Sequence, residues 1–397
     1  MTEEILCRRL LPNLLSKGSA SVEAYELFSA CAMDFVTAYV FGMGQSTTYL
    51  LDEKHCRERL RVFKSRQVFS FWEQETPGLL WLLRKVGLEW LLIPRWVEGA
   101  NREVGDWLLG RCEATEAAIV EGRIRTPREE PVVYSQLRRS LVKQGGTTNA
   151  DKGTVQSAMS EQQRLELASE VNDHTFAGFD TTGIALTYLA WELSKAENAS
   201  IQEGLRNELR GLQPSFRAAK EGETQAIPDH KTIESLPILQ SVLMETLRLH
   251  ASIPGQQPRI TPVNASLGPA EAAIHGLPAN VRVASRAYTL HRNSDVFPDP
   301  EAWRPSRWLD VDGKLDNGGE KARWFWAFGS GGRMCTGKNL AMMEMGSIVA
   351  AIWSNFETRI VDDSGMEHRD GYLAEPIGSA EGSYLLLLFT PLDGVTE

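Results

Sequence analysis

The sequence has no uncharged apolar run of ~18 residues, so it encodes no helix of membrane-spanning length. It has no C-x-x-C pair, and its cysteines (7, 31, 56, 112 and 335) are odd in number. That excludes a fully paired disulfide framework and fits reduced thiols in an intracellular setting. Basic charge is scarce: 42 Lys and Arg stand against 52 Asp and Glu, a net charge of −10, which argues against nucleic acid as a partner. Met1 to Arg9 lacks a basic stretch followed by an apolar one, so no secretory signal is read there. There is no flavin or nicotinamide glycine fingerprint, no internal repeat and no long low-complexity tract. What remains is an ordinary globular balance over 397 residues, enough for one large core or two to three domains.

The most informative stretch is Phe328 to Gly337, in which Cys335 stands among glycines 329, 331, 332 and 337 with Arg333 two residues before it. Glycines let backbone approach backbone, or a flat ligand, without Cβ clashes. The run that follows, Lys338 to Trp353, has helical spacing, so Cys335 lies just ahead of a helix N-terminus. Free N–H groups and the helix dipole at such a place favour a thiolate over a thiol.

Residues 3–28 and 29–41 read as two helices, the second apolar on nearly all sides and closed by Gly42. Residues 57–120 are rich in tryptophan. Within them the apolar run Pro77 to Pro94 is interrupted by Arg84, Lys85 and Glu89, and reads either as an interfacial segment at a membrane surface or as a core helix pair. Residues 143–160 and 211–231 read as polar loops. Between them Ser160 caps a long helix to Lys195, which carries Ala177-Gly-Phe-Asp-Thr-Thr-Gly183 in its middle against helix propensity. Leu236 to His250 is a further helix with Glu245 and Arg248 on one face. After the Pro278-Ala-Asn turn, residues 279–288 read as a strand, and Tyr384 to Phe389 as a buried terminal strand. His291 reads as a hydrogen-bonding histidine, not a metal ligand, because no second ligand has suitable spacing.

Phe328, Gly331, Arg333, Cys335 and Gly337 give F-x-x-G-x-R-x-C-x-G, which resembles the haem-binding signature of the cytochrome P-450 family, the haem-thiolate monooxygenases. Ala177 to Thr182 resembles that family's oxygen-binding A-G-x-D-T-T. Glu245-x-x-Arg248, with Arg307 from a W-x-P-x-R-W-like segment, resembles its buried ion triad, and Pro258-Arg259 its second propionate-binding arginine. The resemblance runs from the Phe41 helix to the C-terminus.

It implies a mainly α-helical fold with small β-sheets, the P-450 fold lacking its N-terminal portion, as a single haem-binding monooxygenase domain over residues 1–397. It further implies haem b with Cys335 as axial ligand, Phe328 beside the thiolate, and Arg333 and Arg259 on the propionates. Ala177 and Gly178 would leave room for dioxygen where the helix is locally widened, and Asp180 and Thr181 would deliver protons. The implied partners are O2, a small apolar organic substrate to be hydroxylated or epoxidised (secondary metabolism being one setting), and an NADPH-dependent flavoprotein reductase. Lys321, Arg323 and Lys338 would form the reductase's docking patch. The endoplasmic reticulum surface is the implied location, with peripheral contact through residues 77–97. The alternatives are an impaired or dead haem-protein remnant and a member with non-oxygenating chemistry. Trp107-Leu-Leu-Gly-Arg111 matches the family's W-x-x-x-R spacing but follows the Phe41-Gly42 helix, where the family's copy precedes it, so it reads as a chance match.

Overall fold

A computed structural model describes residues 1–144, 159–219, 223–268, 270–368, 371–379 and 382–394. The polar stretch expected over 143–160 therefore lies outside the described residues from 145 to 158. The chain is mainly α-helical with three small antiparallel sheets, as the sequence implies. It divides into two compact units: Met1–Ile5 with Ser29–Asp180, and Leu6–Phe28 with Thr181–Glu397.

In the first unit the helix Ala24–Phe41 contributes its buried second half. Asp34 is fully buried there. Its carboxylate accepts from the Thr47 hydroxyl at 2.6 Å and the Tyr49 N–H at 2.8 Å, which fastens the following turn. Gly42 ends the helix at φ +80, and a Cβ there would collide with the Glu129 carbonyl, so only glycine fits. Helices Glu53–Gln67 and Arg95–Val120 pack together, with Phe63 stacked on Phe176 at 4.5 Å. The Pro77–Lys85 helix and the turn Glu89–Leu91 bury little: Leu80 is inside, while Leu79, Trp81, Leu82, Val86, Leu88, Trp90 and Leu91 are exposed. This decides against the core helix pair. No helix among the described residues is long and apolar enough to cross a membrane.

In the second unit the expected helix over 3–28 is not continuous. A π-helical turn, Leu6–Leu10, leads into Leu11–Lys17, which stops at Gly18 with φ +57. Val22–Glu23 then pairs as a strand with the terminal strand Leu386–Pro391, which pairs in turn with Phe356–Asp362. The half-buried Glu23 holds this junction by accepting from the N–H groups of Glu26, Tyr384 and Leu385. Gln256–Ile260 pairs with Arg282–Arg286, inside the strand expected over 279–288, and Asn280 supplies the turn before it at φ 64. Ala265–Leu267 pairs with Ile274–Leu277.

The helix Lys338–Trp353 starts exposed and is wholly buried from Glu344 to Trp353, packed on Pro237–Leu249. Glu344 is an anomaly in that apolar half: its Oε1 has no hydrogen-bond partner, and burial pushes its carboxyl well above the usual range.

The long helix runs from Glu161 to Ser194 and contributes to both units. Ser160 caps it as expected: its hydroxyl accepts from the Gln163 N–H at 3.2 Å while the Gln163 side chain returns to the Ser160 N–H at 2.9 Å.

Candidate functional site

The Cys335 loop is built from turns rather than from packing. The Cys335 N–H donates to the Phe328 carbonyl at 2.8 Å, closing the loop on itself. Gly329 and Gly331 sit at φ +67 and +70, conformations that favour glycine. Gly337 caps the Lys338–Trp353 helix, so the thiol stands one short step from that helix's free N–H groups. All five cysteines are thiols; four are buried and Cys335 is exposed. Arg333 is exposed and makes no hydrogen bond or ion pair among the described residues, and Arg259 donates only to the neighbouring Pro258 carbonyl at 2.8 Å. Phe328 is half-buried, with the Lys338 ammonium 5.9 Å from its ring centre.

Behind this loop lies an ionic core of the opposite character. Glu245 and Arg248 are both fully buried, and their side chains meet at 2.9 Å. Arg248 places all five of its N–H groups: two on Glu245, and the others on the carbonyls of His291, Pro300 and Ala302. Arg307 donates to Glu245 at 2.9 Å, so the three residues expected as a triad do come together. Sequence reasoning missed two further donors to Glu245, the Trp308 indole N–H at 2.9 Å and the Arg304 backbone N–H at 2.8 Å.

His291 joins core to loop. It bonds the Arg248 carbonyl through Nδ1 at 2.8 Å and accepts from the Trp326 N–H through Nε2 at 2.7 Å, which fixes the neutral tautomer with its proton on Nδ1. Burial lowers its pKa to about 3.

The A-G-x-D-T-T stretch differs from the implied arrangement. The long helix passes through residues 175–182 as unbroken α-helix, without the local widening. Ala177 is exposed, whereas a Cβ on Gly178 would come 2.7 Å from Val36, so close helix packing already requires that glycine. Asp180 is buried and holds the Lys64 ammonium at 2.7 Å and the Gln67 amide at 3.1 Å. Thr181 is half-buried, and its carbonyl accepts from the Ser252 hydroxyl at 2.7 Å. No sequence signal pointed to Lys64, which is 116 positions from its partner.

Two basic side chains of the expected docking patch are engaged locally. Lys321 donates to Asp316 at 2.6 Å and to the Arg307 carbonyl at 2.7 Å, and Arg323 faces Glu320 at 3.7 Å. Arg111, of the W-x-x-x-R match, binds the Gln45 carbonyl and lies 4.9 Å from the Trp107 ring centre.

These residues suit a haem. An exposed soft donor, a flat glycine-lined backbone with open space beside Gly331 and Gly332, and an arginine with no carboxylate of its own match a metalloporphyrin carrying propionates.

The family profile described as Cytochrome P450 matches residues 125–379. The chain is 32% identical over 207 residues to cytochrome P450 monooxygenase orf2 of Aspergillus niger, covering 52% of this chain and 38% of that protein. It is 24% identical over 359 residues to cytochrome P450 monooxygenase FGM1 of Gibberella zeae, covering 90% and 62% respectively. A third relative, the inactive cytochrome P450 monooxygenase cloA of Claviceps fusiformis, is 34% identical over 155 residues, 38% of this chain and 29% of that protein.

Proposed function

The chain belongs to the cytochrome P450 family, and from that premise we propose that residues 1–397 act as one haem-binding domain of a monooxygenase. The reaction inserts one oxygen atom of O2 into a small apolar organic substrate, by hydroxylation or epoxidation, in secondary metabolism. One observation carries this reading: Cys335 is the exposed cysteine, on a glycine loop at a helix N-terminus beside an arginine without a partner among the described residues.

Cys335 Sγ holds the iron of haem b, Arg333 and Arg259 hold the propionates, and Phe328 shields the thiolate flank. When bound, the haem supplies oxygen activation, and its thiolate ligand favours O–O cleavage. Thr181 Oγ1 donates the proton this chemistry needs. Asp180 reloads it once its ion pair with Lys64, 2.7 Å across, opens. The triad of Glu245, Arg248 and Arg307 carries no chemistry and fixes the ground on which the loop stands.

Electrons come from an NADPH-dependent flavoprotein reductase docking on the Cys335 face. Of the expected patch of Lys321, Arg323 and Lys338, Lys338 is the steering charge, because Lys321 is already paired with Asp316 and Arg323 faces Glu320. Residues 77–97 make peripheral contact with the endoplasmic reticulum surface, supported by the exposed Trp81, Trp90 and Trp96 beside Arg84, Lys85 and Arg95.

A second reading, a haem protein without turnover, draws support from the Claviceps fusiformis relative named as inactive. Non-oxygenating chemistry is disfavoured by the intact Asp180-Thr181 pair. A reduced carbon-monoxide difference spectrum tests the haem-thiolate site: a thiolate-type band is expected, and its absence from chain reconstituted with haem would overturn the assignment. Product formation with reductase and NADPH separates the active enzyme from the silent one. Thr181→Ala should lower product formation by roughly 10²–10⁴-fold while the thiolate band stays.

A further inference from the structure

The segment after the Pro237–Leu249 helix, residues 250–252, is fastened on two sides within its own unit. His250 is buried and bonds Glu192 of the long helix at 2.8 Å through Nε2. Its Nδ1 lies 3.3 Å from Nε2 of His368, whose Nδ1 lies 3.3 Å from the Tyr188 hydroxyl. The Ser252 carbonyl accepts from the Ala374 N–H at 3.0 Å. Ser252 is therefore not a mobile surface hydroxyl. It is 7% exposed, and its oxygen is held 2.7 Å from the carbonyl of Thr181.

A helix carbonyl that receives an outside donor tilts away from the axis, and its ladder bond lengthens; this is how side chains bend helices. The peptide plane held in this way is the one between Thr181 and Thr182, on the turn that also carries Asp180. The helix stays unbroken there, and the donor from outside gives its Thr181 carbonyl a second hydrogen bond.

We propose that Ser252 is a positioning residue for Thr181, its hydroxyl holding the Thr181 carbonyl and through it the direction in which the Thr181 side chain presents its proton. The proposal rests on the proton-delivery reading of Thr181. Ser252 touches no reacting atom itself; no covalent step is involved, only a hydrogen bond that must survive each turnover.

The test uses the full chain with a ¹³C-labelled Thr181 carbonyl, as wild type, Ser252→Ala and Ser252→Thr. Loss of the second hydrogen bond in Ser252→Ala should move the labelled carbonyl stretch to higher frequency, while Ser252→Thr, which keeps the donor, should leave it at the wild-type position. This band is read with or without haem. In haem-loaded protein with reductase and NADPH, and no added substrate, Ser252→Ala should raise the peroxide released per NADPH severalfold, with Ser252→Thr restoring the wild-type ratio. An unmoved band in Ser252→Ala overturns the proposal. A moved band with an unchanged peroxide ratio also overturns it, provided Thr181→Ala raises that ratio; the bond is then structural and the reading of Thr181 stands. If Thr181→Ala leaves the ratio unchanged, the reading of Thr181 fails and the proposal with it, an outcome distinguished by a band that still moves.

Discussion

The ionic core around Glu245 and the Cys335 loop lie in one unit, and each carries one of the two most specific motifs of the chain, yet they are opposites. In the core every donor of Arg248 is matched, and Glu245 accepts from four residues, Arg248, Arg304, Arg307 and Trp308. In the loop, Arg333 has no partner among the described residues, Cys335 is exposed, and Gly331 and Gly332 border open space. A buried charge must be satisfied by the chain or it destabilises the fold. An exposed, unsatisfied cluster costs little to keep and is available to a ligand. Specific motifs therefore come in two kinds, and the completeness of their hydrogen bonding tells them apart.

The sharpest way to break this comparison is Cys335→Ala. The thiolate-type carbon-monoxide band should vanish entirely while the free energy of urea unfolding of haem-free chain stays within about 0.5 kcal/mol of wild type, because an exposed side chain supports no packing. A large loss of stability would mean that the loop belongs to the core. Arg248→Ala should do the reverse. Leaving Glu245 buried without its main counter-charge costs roughly 3–5 kcal/mol, measured by denaturant unfolding, and haem is lost only because the fold is. Arg333→Ala should weaken haem retention by about 1.5–3 kcal/mol, one charge-assisted contact, with no shift in the unfolding of haem-free chain. Competition with apomyoglobin reads the first quantity.

His291, between the two regions, gives an effect whose size is set by pH. Its folded pKa of about 3 lies below the ordinary 6.5. Its contribution is thus complete above pH ~6.5 and is lost as pH falls toward ~3, at up to about 1.4 kcal/mol per pH unit. His291→Gln, which does not titrate, should flatten that part of the stability profile. A profile that stays equally steep assigns the acid sensitivity to other groups.

The parts of this molecule legible in sequence were those coded at short range. Phe328 to Gly337 is a local turn pattern, Glu245 and Arg248 are one helical turn apart, and the Ser160 cap needs only the residue three positions on. The helix expected over 3–28 failed where Gly18 adopts φ +57 and Val22–Glu23 finds a strand partner at Leu386–Leu387. No periodicity in the first thirty residues reports a partner at the other end of the chain. The same limit hid Lys64 from Asp180, Trp308 from Glu245 and Ser252 from Thr181, all of them contacts that only folding brings together. Gly178 shows a different ambiguity. Its sequence context suggested space for a ligand, while Val36 demands the missing Cβ on packing grounds alone.

The buried carboxyl of Glu344 changes how this protein should migrate. Burial pushes the Glu344 carboxyl toward its neutral form, so this group adds less negative charge to the folded chain than its share of the −10 that composition assigns. On a native gel Glu344→Gln should shift from wild type by less than the same substitution at an exposed glutamate. In urea, where the carboxyl meets water and ionises, the same two chains should separate by one rung of a charge ladder.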